Sequence, residues 1–304
     1  MRFHGYFAGQ PAAMQFFALL LFLLGGNLIA SFLGLAIFMS VYGTQASIEQ
    51  YPDMLRLLQF ISAIGTFLIP SLLVAWLFHR NPKEYLHITK INDWTSVLWV
   101  LVSMLLIMPL INLTVYWNES LSLPEWLAPI ENWMRQQEDT MQHFTEILIH
   151  GDGFFPLLSN LIVVALTAAI TEEFLFRGAL LGIIGKWIRN RHAVIWTVAI
   201  LFSAFHLQFY GFIPRMLLGA YFGYLLVWSK SIWLPICAHF FNNAMSVLVM
   251  SDSSLQKYEL LTGEVSEANA GELILPAVIG TLLFFLVVKK LKSQIFLSQH
   301  EVLS

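Results

Sequence analysis

Three short runs of polar residues stand out in an otherwise apolar chain. They are Glu172-Glu173 with Arg177 four residues on, Phe202 with His206 four residues on, and His239 with Asn243 four residues on. Each lies in a hydrophobic stretch, where an ionisable side chain costs from about 2.5 to more than 10 kcal/mol unless a partner, water or a function offsets it. Helical geometry sorts them into roles. Glu173 and Arg177 share a face and are expected to pair as ions that hold the helix geometry. Glu172 is turned by about 100° from Glu173, which leaves it free to face something else. His239 and Asn243 share a face, as do Phe202 and His206, with Phe202 a packing or substrate-lining residue. Counting about 1.5 Å per residue from the nearest basic loop places Glu172, His206 and Asn243 each roughly 20 Å deep, with His239 about 6 Å nearer that loop. Three helices then bring a carboxylate, two imidazoles and an amide to a similar level.

A glutamate in such a cavity has a raised proton affinity and can act as a general base, with a histidine beside it sharing the water it activates. Hydrolysis is the natural reaction. An oxyanion developing on an attacked carbonyl needs a donor, which His239 or the Asn243 amide could supply. Alternatively, Glu172, His206 and His239 are the ligands of a divalent metal such as zinc, which would acidify the same water. The residues leave both chemistries open.

The elements that must position these groups follow from composition. Of 304 residues, 58% are hydrophobic and 12% charged, against about a quarter charged in a soluble domain, and the mean hydropathy is +0.70. This predicts an all-α, multi-pass transmembrane bundle, because a crossing helix needs about twenty apolar residues. Eight stretches qualify: 13–41, 57–78, 94–117, 155–185, 193–209, 212–228, 232–250 and 273–288. The first is too long for the apolar core of a signal peptide and is read as a retained helix. The acidic segment 118–152 carries Trp126, Ile130, Trp133 and Met134 at helical spacing and is expected to form an amphipathic helix on the outer surface. With the N-terminus inside, 11 of the 16 basic residues, from Arg2 and Arg80 to Lys289, Lys290 and Lys292, fall on the cytoplasmic side. Both termini are then cytoplasmic and the chain resides in the cell membrane. No repeat or linker divides it, so 1–304 reads as one domain with its catalytic core at 155–250. Cys237 is the only cysteine, which excludes an internal disulfide. No basic run resembles a nucleic-acid surface.

The three motifs, in this order and each in a hydrophobic span, resemble those of the CPBP family of intramembrane proteases, the CAAX proteases and bacteriocin-processing enzymes also called the Abi family. The resemblance covers about a third of the chain. It implies an eight-helix membrane fold with Glu172, His206, His239 and Asn243 at the catalytic centre and Glu173 and Arg177 as supports. It also implies a membrane-associated peptide or protein as substrate, with the lipid bilayer as surroundings. Other intramembrane proteases fit less well. The chain has no His-Glu-x-x-His, no Gly-x-Gly-Asp, and no glycine spaced for a serine nucleophile at Ser203. Two rival readings use the same residues without proteolysis. One is a membrane scaffold or immunity protein that binds a partner. The other is a proton-coupled carrier, for which the chain lacks paired inverted halves.

Overall fold

The computed structural model describes residues 4–91, 93–151, 153–262 and 270–301; Arg2, counted above with the basic residues, and Asp152 at the end of the acidic segment lie outside them. The described residues are helices joined by turns, without a strand. In chain order the long helices are α1 (Ala12–Tyr42), α2 (Pro52–Phe78), α3 (Thr95–Glu119), α4 (Ala128–Ile149), α5 (Phe154–Ile184), α6 (Arg191–Phe205), α7 (Phe212–Ser229), α8 (Trp233–Ser251) and α9 (Ala270–Glu301). All but α4 and α6 are long and apolar enough to cross a membrane, and the protein is a multi-pass helical membrane protein.

The fifth expected span is shorter than the apolar pattern suggests. α6 has 15 residues, about 22 Å at 1.5 Å per residue, against a hydrocarbon core of about 30 Å. Its start is fixed by Asn190, whose side chain accepts from the backbone N–H groups of His192 and Ala193. It stops at Phe205 although Leu207 and Phe209 prolong the apolar pattern. His206 caps its end, and Leu207 adopts the left-handed conformation at φ 53°. α6 is therefore a shorter helix than the expected span 193–209, and His206 sits in a turn rather than within a helix.

Side-chain bonds define the two ends of the bundle. At the basic end, Lys186 donates to Gln15 at the start of α1, Tyr85 to the Ala179 carbonyl and Ser231 to the Thr89 carbonyl. At the other end, Arg56 of α2 reaches Asn160 of α5 at 2.7 Å and the carbonyls of Leu148 and His150, tying α4 to the spans. The amphipathic α4 thus lies at the end opposite Lys186 and Lys230.

α5 runs between two apolar clusters, one shared with α1, α2 and α6, the other built by α3, α7, α8 and α9. Every residue from Phe174 to Leu180 is buried. The helix is α-helical at Ala168–Glu173 but widens to π-geometry on both sides, at Leu161–Thr167 and Phe174–Leu180. Such π-segments are frequent at functional sites.

Close packing of α1 on α2 depends on small residues. A Cβ added to Gly26 would lie 2.1 Å from the Gly65 carbonyl oxygen, a backbone atom that cannot swing aside. Gly26→Ala is therefore expected to destabilise the protein by about 1–3 kcal/mol, seen as a lower Tm in detergent.

A pH effect arises at the basic end, in the loop after α2. The His79 ring stacks on Tyr85 at 3.5 Å. Burial, and then the neighbouring Lys186 charge, lower its pKa from 6.5 to about 4. Between those values the unfolded chain binds the proton more readily, so the stability from a neutral His79 is complete above 6.5 and lost as pH falls toward 4. Tm should drop between about pH 7.5 and about pH 5, and His79→Phe, which keeps the stack, should flatten that drop.

Candidate active site

Glu172 and Glu173 occupy the α-helical stretch of α5 between its two π-segments. Their side chains diverge as the 3.6-residue turn requires. Glu173 points into the bundle and is fully buried. Its Oε1 accepts from Arg177 Nη1 at 2.7 Å and from His239 Nδ1 at 2.8 Å. Arg177, equally buried, spends Nη2 on the Gly219 carbonyl of α7 at 2.7 Å. Its guanidinium lies 4.7 Å from the Phe202 ring centre and 5.4 Å from that of Phe222. One ion pair thus joins α5, α7 and α8. Glu173 has a second task that the i, i+4 reading missed, since it orients a histidine on another helix.

Glu172 points the other way. Its Oε2 is 3.8 Å from Nε2 of His239 and 3.9 Å from Nε2 of His206, and it has no hydrogen-bond partner although it is buried. Both imidazoles are oriented from behind. His206 Nδ1 donates to the Phe202 carbonyl at 2.8 Å. His239 Nδ1 faces the Glu173 carboxylate, which can only accept. In the neutral rings each Nε2 is then a lone-pair acceptor aimed at Glu172. Separations beyond 3.5 Å between such groups are those bridged by a water. The side chains of Glu172 and His206 remain 16% and 28% exposed, against 5% for His239, so the trio has one open side.

Phe202 is the wedge of the site. It meets the His206 ring at 5.1 Å and the His239 ring at 5.7 Å. At 3% exposure it is a packing residue and does not line a substrate path. Phe222 of α7 stacks on His239 at 5.2 Å and 22°. Nothing in its spacing distinguished it from other apolar residues of its span. Gly219 carried no signal either. A Cβ there would lie 3.0 Å from Phe202 and 3.4 Å from Arg177.

Asn243 lies one turn along α8 from His239. Its Nδ2 reaches the Val164 carbonyl at 3.5 Å, the limit of a hydrogen bond, while its Oδ1 accepts from Asn242 at 3.3 Å. The structure thus joins Glu172, His206 and His239, and leaves Asn243 at their edge with a weakly committed amide. Asn242 and Arg215 line an adjoining cavity of about 290 Å³ between α3, α7 and α8. A second cavity of about 730 Å³ shares Glu119, Glu138 and Ser246 with it and extends along α4.

Lone pairs on two imidazoles and a carboxylate are the donor types of a zinc site. Their spacing does not match. Among the described residues no group of three His, Cys, Asp or Glu is placed to hold a metal ion.

Residues 154–245 match the model of the family described as Rce1-like, type II CAAX prenyl endopeptidase. Among curated proteins, "Uncharacterized protein YpbD" of Bacillus subtilis (strain 168) is 28% identical over 92 residues, which are 29% of this chain and 44% of that protein. The chain thus matches less than half the length of this relative. No solved structure matches. The matched segment runs from the start of α5 to Met245 on α8 and contains all three motifs, while α1 to α4 and α9 lie outside it.

Proposed function

We propose that the chain is an intramembrane endopeptidase in which Glu172 activates water against a peptide bond of a membrane-associated peptide or protein, a reading supported by the match of residues 154–245 to the Rce1-like family model. The single observation that carries this reading is the convergence of Glu172 Oε2 on two imidazole nitrogens at 3.8 and 3.9 Å, each imidazole oriented from behind. Glu172 takes a proton from the water, with His206 holding the oxygen in place. The oxygen attacks the scissile carbonyl, and the proton on Glu172 then passes to the leaving amine. The net change is addition of one water across one C–N bond.

Counting protons refines the roles. A water has two hydrogens to donate, whereas Glu172, His206 and His239 offer three acceptors. One of them is left over, and His239, held through Nδ1 by the Glu173 carboxylate, is the one placed beside the substrate carbonyl. Asn243, whose present bond is long, is the donor for the oxyanion. The basic end, where α1 begins and the lysines of α9 lie, we assign to the cytoplasm from the clustering of lysine and arginine there.

The test compares new protein termini, by mass spectrometry, in membranes from cells expressing the native chain or Glu172→Ala at equal levels. Products present only with the native chain are expected and would name the substrate. Identical profiles would discard proteolysis in favour of a scaffold. Because the trio is not spaced as a metal cage, cleavage by the purified protein is also expected to survive dialysis against a chelator. Loss of cleavage on dialysis, with recovery on adding zinc, would replace the glutamate mechanism by a metal one.

A further inference from the structure

The turn carrying His206 is held by α6 at its two ends, through His206 Nδ1 on the Phe202 carbonyl at 2.8 Å and Ser203 Oγ on the Phe212 carbonyl at 2.6 Å. Between them the helix has ended, and Leu207 is in a left-handed conformation that costs a non-glycine residue about 1–2 kcal/mol. Residues 208–213 take further side-chain bonds from α3, α4 and α7. Arg215 grips Gln208 twice, Nη1 on its carbonyl and Nη2 on its Oε1, both at 2.9 Å. Asn118, at the end of α3, donates to the Phe209 carbonyl at 3.1 Å and accepts from the Ile213 N–H at 2.8 Å. The remaining grip comes from α4. Glu138 Oε1 accepts from Gln208 Nε2 and Oε2 from the Tyr210 N–H, each at 3.3 Å. Around it, Trp133 packs on Phe209 at 5.3 Å and the Arg135 guanidinium lies 4.6 Å from the Tyr210 ring centre. Gln208 is thus bonded on one side by α7 and on the other by α4, two residues after His206.

We propose that Glu138 is a positioning residue for His206: by holding the 208–210 turn it makes the seating of α4 a condition for the imidazole to face Glu172. This rests on the reading of His206 as part of a hydrolytic site. It extends that site to a helix outside residues 154–245, so that a peripheral amphipathic element governs a centre it does not touch. Glu138 also lines two cavities, one of them walled by Arg215 and Asn242.

The experiment uses the full chain in lipid nanodiscs, labelled with ¹³C-histidine and assigned with His206→Gln. The cleavage probe is a quenched fluorescent peptide carrying a site found by the termini comparison. Glu138→Ala is expected to shift and broaden the His206 ring signal and to lower kcat on the order of tenfold to a hundredfold with KM little changed. Glu138→Gln keeps one of the two acceptor oxygens and is expected to fall between the native chain and Glu138→Ala in both. A His206 signal unmoved by Glu138→Ala overturns the proposal, whatever the cleavage rate does. A shifted signal with equal cleavage by the native chain and Glu172→Gln upholds the coupling and overturns the protease reading instead.

Discussion

Glu172→Gln is expected to lower kcat/KM for peptide cleavage by at least about a hundredfold and up to about ten-thousandfold, the usual range for loss of a general base. That corresponds to roughly 3–5 kcal/mol of transition-state stabilisation at about 1.4 kcal/mol per decade. The substitution is isosteric, so the cavity keeps its shape. Oε2 of Glu172 makes no hydrogen bond to the protein, so folding loses no bond, and removing a half-desolvated charge should leave Tm unchanged or raised. The fall should appear in kcat rather than KM, because the carboxylate is placed to touch the water and not the peptide. Purified protein in proteoliposomes, assayed beside its thermal unfolding curve, separates the outcomes. Full activity in Glu172→Gln would remove this carboxylate from the chemistry. Lost activity with a collapsed Tm would make it a structural residue.

The residues of the candidate site are legible in the sequence because burial makes polar residues conspicuous. Glu172, His206 and His239 stood out as costly groups at similar depth, and helical spacing alone separated Glu172 from the Glu173–Arg177 pair, which forms at 2.7 Å. Six of the eight expected spans agree to within five residues at each end with helices long enough to cross a membrane, the fifth and the last being the exceptions. α9 runs thirteen residues past its apolar stretch through Lys289, Lys290 and Lys292, since lysines at a membrane boundary do not break a helix. What could not be read were contacts between segments distant in the chain. The Glu173–His239 bond spans 66 residues and the Arg177–Gly219 bond 42, and no local pattern encodes either. The π-segments of α5 and the arrest of α6 at Phe205 are likewise decisions of packing. The apolar pattern continues across each, while the bonds from Asn118, Glu138 and Arg215 to residues 208–213 come from three different helices.

Arg177→Met is expected to destabilise the protein by about 3–5 kcal/mol, because it leaves the fully buried Glu173 charge without its main partner. Interhelical hydrogen bonds in membrane proteins average only about 0.6 kcal/mol in double-mutant cycles, so a loss of this size would identify a buried ion pair rather than polar glue. Glu173→Gln is expected to fall in the same range from the other side, stranding the guanidinium between Phe202 and Phe222. The double variant Glu173→Gln/Arg177→Met removes both charges and should recover about 2 kcal/mol or more of the summed losses. Its activity should not recover with it. The glutamine no longer offers His239 a carboxylate, so Nδ1 of the imidazole loses the charged acceptor that orients it. A double variant that is folded but slow is the expected phenotype, measured by unfolding in detergent and by peptide cleavage on the same preparation. Single variants that unfold at the native Tm would show that the pair contributes nothing to the fold. A double variant cleaving at the native rate would show that Glu173 does not act on His239.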